Sequence, residues 1–232
     1  MHQPITKNNE IKKFWLLVAL LIGPLVFYLL ILTGTNEFRR LPVLQNNIID
    51  ISILEPNQKV VLKDKISVIC FFGNDLLQHK TNALNLNEKI YKHFNGFEDF
   101  QFVVMLPVGT EEKANQLKKD LAFNTNINNW KFVFTSKENL IAIFNSMHTN
   151  LILDSNNYIA QAFIIDKTVS LRGRNKDTDY KDGVLYGYNA ESVSQIHQKM
   201  VDDVKILLAE YRLALKKNKK KAVFKNPYKN NN

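Results

Sequence analysis

Apolar and polar positions divide this chain into three regimes, and each predicts a different kind of structure. From Phe14 to Thr33 the text FWLLVALLIGPLVFYLLILT runs for 20 residues without a charge. A helix of that length, at ~1.5 Å per residue, spans ~30 Å, the thickness of a bilayer's hydrocarbon core. Pro24 is tolerated within such a span, and Trp15 and Tyr28 are amphipathic residues suited to its interfaces. From about residue 60 to residue 212 short apolar runs alternate with helical periodicity. From residue 213 onward lysines and asparagines dominate, apolar periodicity is absent, and no regular structure is predicted.

The middle regime is organised around ISVICFFGNDLLQHKTNALNL, Ile66 to Leu86. Its first part, Ile66 to Phe72, is almost wholly apolar, β-branched and aromatic, which predicts a strand buried on both faces. Gly73, Asn74 and Asp75 break the run, and Leu84, Leu86 and Ile90 then follow a helical pattern. The same logic predicts a helix at 85–94, a strand at Phe100 to Leu106, and a helix from Thr110 as N-cap to about Leu121, with Glu111 and Glu112 favoured in its first turn. A strand at Trp130 to Phe134 and a short helix capped by Ser136 come next. Tyr158 to Ile165 and Val169 to Leu171 read as a hairpin turning at Asp166 and Lys167. Ala190 to about Lys217 is one amphipathic helix with Val193, Ile196, Met200, Val204, Leu207 or Leu208, and Tyr211 on its core face. Val60 to Leu62 is read as a short edge strand, and 34–59, with prolines at 42 and 56, as an extended tether.

One domain with appendages follows: a short tail at 1–13, a membrane anchor at 14–33, the tether at 34–59, an α/β domain at 60–212 and a basic, disordered tail at 213–232. A cleavable signal peptide has an apolar core of only ~7–15 residues and small residues before the cut. The longer run ending LTGTNEF predicts an uncleaved signal anchor, and with no cysteine behind it a lipid-modified N-terminus is excluded. Lys7, Lys12 and Lys13 before the span outnumber Arg39 and Arg40 after it, which places the N-terminus inside and the domain outside.

Charge changes this picture less than its total suggests. The formal net charge is +9, but Arg212 and the lysines at 216, 217, 219, 220, 221, 225 and 229 supply eight positive charges, leaving 23 basic and 22 acidic residues. The folded part is nearly neutral, which argues against a nucleic-acid-binding face. The tail reads as a solvated segment or as one attracted to anionic lipid headgroups. The one cysteine, Cys70, excludes an intrachain disulfide.

Several stretches in this order resemble the Sco/SenC group of membrane-tethered, thioredoxin-like copper chaperones involved in cytochrome oxidase assembly. They are the N-terminal span, FRRLPVLQ, KVVLKDKISVICFFG, FEDFQFVVMLPVGTEEK and YIAQAFIIDKTVSLRGRNKD, together covering roughly 38–212. The resemblance implies a thioredoxin-like α/β fold, a mixed sheet flanked by helices, behind one transmembrane helix. It also implies a site: copper-binding members carry two cysteines separated by three residues in the loop after the central strand, and a histidine just before the late hairpin. Here the cysteine positions fall at Leu77 and Thr81, or at Leu76 and Lys80 in the neighbouring register, and the histidine position falls at or near Tyr158. None of these offers a thiolate or an imidazole, so the site reads as lost and no cofactor is expected.

Other chemistry is sparse. Cys70 lies inside the apolar strand, where a thiol behaves as a small hydrophobe with a raised pKa. His79 stands in the site loop, with Asp75 and Lys80 its only titratable companions. His93, His148 and His197 show no ligand spacing. Asp177 and Asp179 alternate, with Asp182 three residues on, in the manner of a hard-cation loop, yet Lys176 and Lys181 compete for them. Arg172 and Arg174 flank Gly173 and offer an anion a place. The reading that follows is a non-catalytic, single-span protein of the bacterial inner membrane. Its domain faces the periplasm and serves as a binding or assembly scaffold for an envelope protein. A metal or thiol redox protein with a rebuilt site at Cys70 and His79 is the alternative.

Overall fold

The computed structural model describes residues 7–32 and 40–225, with side chains at 11–31 and 40–214. The chain divides into two units, residues 1–39 and 40–232. In the first, helix α1 spans Lys7–Leu32 with Pro24 inside it, and its stretch Ile11–Ile31 has a mean hydropathy of 2.6 with no side chain buried. By length and composition this helix is able to cross a membrane. Thr33 and Arg39 lie outside the described residues.

The second unit is an α/β domain built on a seven-stranded mixed sheet. Its elements are β1 (Val43–Gln45), α2 (Ile51–Leu54), β2 (Ile66–Phe72), α3 (residues 80–94), β3 (Phe100–Pro107), α4 (Glu111–Ala122), β4 (Trp130–Thr135), α5 (Lys137–Ser146), β5 (Tyr158–Ile165), β6 (Leu171–Arg172), β7 (Tyr188–Asn189) and α6 (residues 193–225). Helices α3 and α6 each contain one π-helical turn, at Asn87–Tyr91 and Ile196–Met200. The strand order is β1-β6-β5-β2-β3-β4, with β7 added on β5. β2, β3 and β4 are parallel, whereas β5 runs antiparallel to β2 and β6 antiparallel to β5. Two strands joined through a helix, followed by a hairpin on the other side of the first strand and a closing helix, make this a thioredoxin-like fold.

Strand β2 sits at the centre because both its faces are apolar. Ile66, Val68, Cys70 and Phe72 pack beneath α3, α4 and α6, while Ile69 and Phe71 pack beneath α5 and the segment 48–62. Strands β2, β3, β4 and β5 lie within one residue of the boundaries their apolar runs predict. Ser136 caps α5 by accepting the Asn139 N–H, as predicted. Thr110 stands at the N-cap position of α4, but its hydroxyl turns back to donate to the Pro107 carbonyl at 2.8 Å. In α6, Ile196, Met200, Val204, Leu207 and Leu208 are buried, whereas Val193 is exposed at the helix start.

Four expectations are corrected. Residues 40–59, read as tether, belong to the domain: β1 pairs with β6, and Leu41, Ile48 and Ile51 are buried. No strand forms at Val60 to Leu62, since the Asp50 carboxylate takes the Leu62 and Lys63 N–H groups that a ladder would have used. The second hairpin strand begins only at Leu171, because Val169 takes a positive φ in the turn and the Asp166 carboxylate accepts the Thr168 and Ser170 N–H groups. Helix α6 continues to Lys225, past the predicted end near Lys217 and into the segment read as disordered, because alanine and lysine are good helix formers. The remainder of that tail lies outside the described residues.

Candidate functional site

In an open α/β sheet, ligands and reactive groups gather beyond the carboxyl ends of the parallel strands. Here that place is the loop after β2. Phe72, the last residue of β2, stands opposite Tyr158, the first residue of β5, so the sheet itself brings the two sequence-predicted site regions together. Gly73 makes the exit possible. Its φ is +64°, and an added Cβ would lie 2.4 Å from the Asn156 carbonyl oxygen. The loop is then fastened by Lys113 of α4, whose ammonium donates to the Asn74 carbonyl at 2.8 Å and meets Asp75 Oδ1 at 3.2 Å.

Tyr158 is the hub. The His79 ring stacks on it nearly parallel, with centroids 3.5 Å apart and 8° between planes. Its hydroxyl accepts from Asn82 Nδ2 at 2.8 Å and donates to Glu191 Oε1 at 2.8 Å. Burial raises the Tyr158 pKa, and the hydrogen bond to Glu191 with that carboxylate's charge raises it further. The phenol is thus held neutral with its hydrogen-bonding capacity used internally, which suits it poorly to proton transfer. Asn85 Nδ2 donates to the Ala190 carbonyl at 3.0 Å and ties α3 to the loop that carries Glu191. At the same end of the sheet, Val108 follows β3 and Ile152 lies in the loop leading into β5, with 68% and 84% of their surfaces exposed.

Leu77 is half-buried against the core, and Thr81 sits in the first turn of α3. In the neighbouring register Leu76 is fully buried and the Lys80 ammonium lies 3.7 Å from Asp120. Cu(I) prefers soft sulfur donors, and these positions supply none. The chain's one thiol is elsewhere: Cys70 is 1% exposed inside β2, and burial raises its pKa far above the usual thiol value. The residues present do not fit a copper ion held by two thiolates and an imidazole. Among the described residues no group of three or more His, Cys, Asp or Glu side chains is placed to hold a metal.

The remaining sequence candidates have internal partners. Lys199 Nζ bonds Asp177 and Asp179 at 2.7 Å, occupying the place a hard cation would take. Asp182 instead accepts from Asn150 Nδ2 and the Val184 N–H. Arg174 reaches Asp203 at 2.7 Å, and the same carboxylate accepts from Tyr188 OH, whose pKa burial raises well above normal. Arg172 is 5% exposed, with Nε 2.9 Å from Asp166 Oδ2 and Nη2 2.8 Å from Glu210. Neither arginine is available to an anion. Sequence reading missed Asn82 and Glu191. Asn82 adjoins Thr81 and was within reach, but Glu191 comes to Tyr158 only through the pairing of β7 with β5, for which the local text carries no signal.

No protein-family model and no curated protein matches the chain. Solved structures similar to it include a SCO1/SenC family lipoprotein from Bacillus anthracis, with 15% identity and a TM-score of 0.49, over 74% of this chain and 99% of that one. The soluble domain of Sco1 from Bacillus subtilis has 17% identity and a TM-score of 0.40, over 74% of this chain and 97% of that one. ScoI from Bradyrhizobium japonicum, solved with copper bound, has 12% identity and a TM-score of 0.35, over 63% of this chain and 87% of that one. The thioredoxin-like fold stands on the strand order and directions described above, and the solved structures similar to this chain include Sco/SenC proteins.

Proposed function

We propose that this chain is a membrane-anchored, thioredoxin-like protein that acts in cytochrome oxidase assembly by binding a partner, without metal or thiol chemistry of its own. The observation that carries the reading is the Tyr158 cluster. Where a fold of this kind places its reactive groups, His79, Asn82, Tyr158 and Glu191 stack and hydrogen-bond with one another, while the single thiol is sealed inside β2. Such a cluster is pre-organised rather than reactive. It presents Glu191 and the Asp75–Lys113 pair at a surface flanked by exposed Val108 and Ile152, a mixed polar and apolar rim of the sort that protein partners use. The oxidase assignment comes from the Sco resemblance. α1 supplies the anchor, and the lysine excess before it supports a periplasmic domain in the inner membrane.

Cross-linking of the full-length protein in its own membranes, followed by capture and mass spectrometry, tests this reading. Oxidase subunits or their assembly factors are expected, and Tyr158→Ala should reduce their recovery. Exclusive recovery of unrelated envelope proteins would overturn the oxidase assignment. Stoichiometric Cu(I) binding at nanomolar or tighter affinity would overturn the absence of metal chemistry.

A further inference from the structure

The two edges of the sheet are finished differently. On one side β6 is covered by β1, which is three residues long. On the other, β4 runs for six residues, Trp130–Thr135, with β3 as its ladder neighbour. Parity decides where the remaining backbone groups of β4 point. The Phe102 N–H donates to the Asn129 carbonyl at 2.8 Å and the Val108 N–H to the Thr135 carbonyl at 3.1 Å, so in this parallel pair the odd-numbered residues of β4 bond β3. Trp130, Phe132 and Phe134 therefore turn their N–H and C=O groups outward. The Trp130 N–H is taken by the Ile127 carbonyl at 2.9 Å. The Trp130 carbonyl and the Phe132 N–H and carbonyl, consecutive along the edge, have no partner among the described residues.

Phe134 shows what such groups accept. Gln58 lays its carboxamide against this residue: the carbonyl oxygen accepts the Phe134 N–H at 2.9 Å, and the amino group donates to the Phe134 carbonyl. An amide that bonds both groups of one edge residue reproduces the pair of bonds that an antiparallel strand makes there. The edge thus carries a side-chain stand-in for a strand at its end and an unfilled ladder beside it. Lys131, the kind of residue that blunts an edge, is turned back to the Asn128 carbonyl at 2.7 Å. On the α4 side, the half-buried Lys118 ammonium lies 4.8 Å from the Phe132 ring centroid and 5.9 Å from that of Phe134, and it has no ion pair among the described residues. The acids of these elements are engaged elsewhere, Glu55 with Thr135, Asn139 and Gln58, and Asp120 with Lys80.

We propose that β4 takes on an added strand, an extended acidic segment of a partner protein. Its backbone bonds Trp130 and Phe132, and a carboxylate on its α4 face meets Lys118. Backbone bonds supply the affinity and Lys118 selects the charge, the division of labour usual when a peptide joins a sheet edge. Gln58 competes for the last position, Phe134, so the chain's own side chain shortens the seat. This edge lies two strands from β2, whose carboxyl end carries the Tyr158 cluster. The inference goes beyond the partner-binding reading and does not rest on it.

The probe is a fluorescent pentapeptide of alternating valine and glutamate, titrated by anisotropy against the detergent-solubilised full-length chain. A counterpart with lysine for glutamate and a copy with N-methylated amides are titrated beside it. The glutamate peptide should bind saturably with a Kd below ~1 mM. N-methylation, which removes ladder donors, should weaken binding at least ~tenfold. The lysine peptide should bind more weakly, and Lys118→Gln should narrow that gap. Gln58→Ala frees Phe134 for a further bond and should strengthen binding ~three- to tenfold, the scale of one net hydrogen bond. Phe132→Pro, a residue that edge strands tolerate, removes the central N–H and should abolish binding, whereas Phe132→Ala keeps that N–H and should retain it. If the proline variant does not fold, N-methylation and Gln58→Ala still decide. No saturable binding, indifference to N-methylation, or a Gln58→Ala chain that binds no better would each overturn the added strand. Equal binding of the two charged peptides would overturn the acidic partner. Peptide binding without capture of oxidase subunits from membranes would remove the oxidase reading and leave the edge, and the reverse result would remove the edge alone.

Discussion

Asp50 shows how much one side chain organises in this domain. Its carboxylate caps α2 by accepting from Ser52 N and Ser52 Oγ at 3.0 Å, and it also accepts from Lys63 N at 2.8 Å and from Leu62 N. Burial opposes the charge, but these donors together outweigh it and hold the pKa below the usual aspartate value. A carboxylate whose folded pKa is depressed stabilises the fold above its unfolded pKa, and that contribution is lost as pH falls through the folded value. Asp50→Asn should therefore destabilise the domain by ~1–2 kcal/mol at neutral pH, because the carboxamide keeps one acceptor oxygen but loses the second and the charge that strengthens these hydrogen bonds. The difference from wild type should shrink below the ordinary aspartate pKa of ~3.9. Denaturant melts of both proteins across that range check the sign, and a gap that is unchanged in acid would contradict the account.

At the scale of elements, Arg172 of β6 is a buried tie that joins three parts of the chain. It bonds the Leu41 carbonyl ahead of β1, pairs with Asp166 in the turn after β5 and reaches Glu210 on α6. Breaking a buried ion pair on one side leaves an uncompensated charge, so Arg172→Met should cost ~3–5 kcal/mol. Thermal unfolding should show the loss, and a shift no larger than that of an exposed lysine substitution would contradict it. Arg172 also marks the limit of what the sequence makes legible. Runs such as Ile66–Phe72 announce themselves because a strand buried on both faces must be apolar at every position. β1 is three residues long and β7 two, too short for any periodicity, and both exist because β6 and β5 offer edges to pair with. The same cause explains the site. Tyr158 and His79 stood out against the Sco pattern, whereas Glu191, like the partners of Arg172 and Arg174, depended on contacts made across long separations in sequence.

Taken as a whole molecule, the chain is polarised in charge. Eight positive charges lie at or beyond Arg212, and the rest of the chain nearly balances, so the location of the basic end decides which partners it can meet. Facing the cytoplasm, a lysine-rich helix would encounter nucleic acid as well as lipid. Facing the periplasm, it meets lipid phosphate and envelope proteins. The flanking charges favour the second arrangement, since Lys7, Lys12 and Lys13 precede the span against Arg39 and Arg40 after it, and basic residues near a span set its orientation. The bias is small, but the folded domain does not oppose it, because long segments translocate largely regardless of charge. The single thiol is compatible with an oxidising compartment, where Cys70 inside β2 is shielded from disulfide exchange. An alkaline phosphatase fused to the C-terminus should accordingly be active, and the same fusion with a cytoplasmic reporter enzyme should be silent. The reverse pattern would place the domain inside the cell, removing the envelope partner and reopening nucleic acid as the counter-charge for α6.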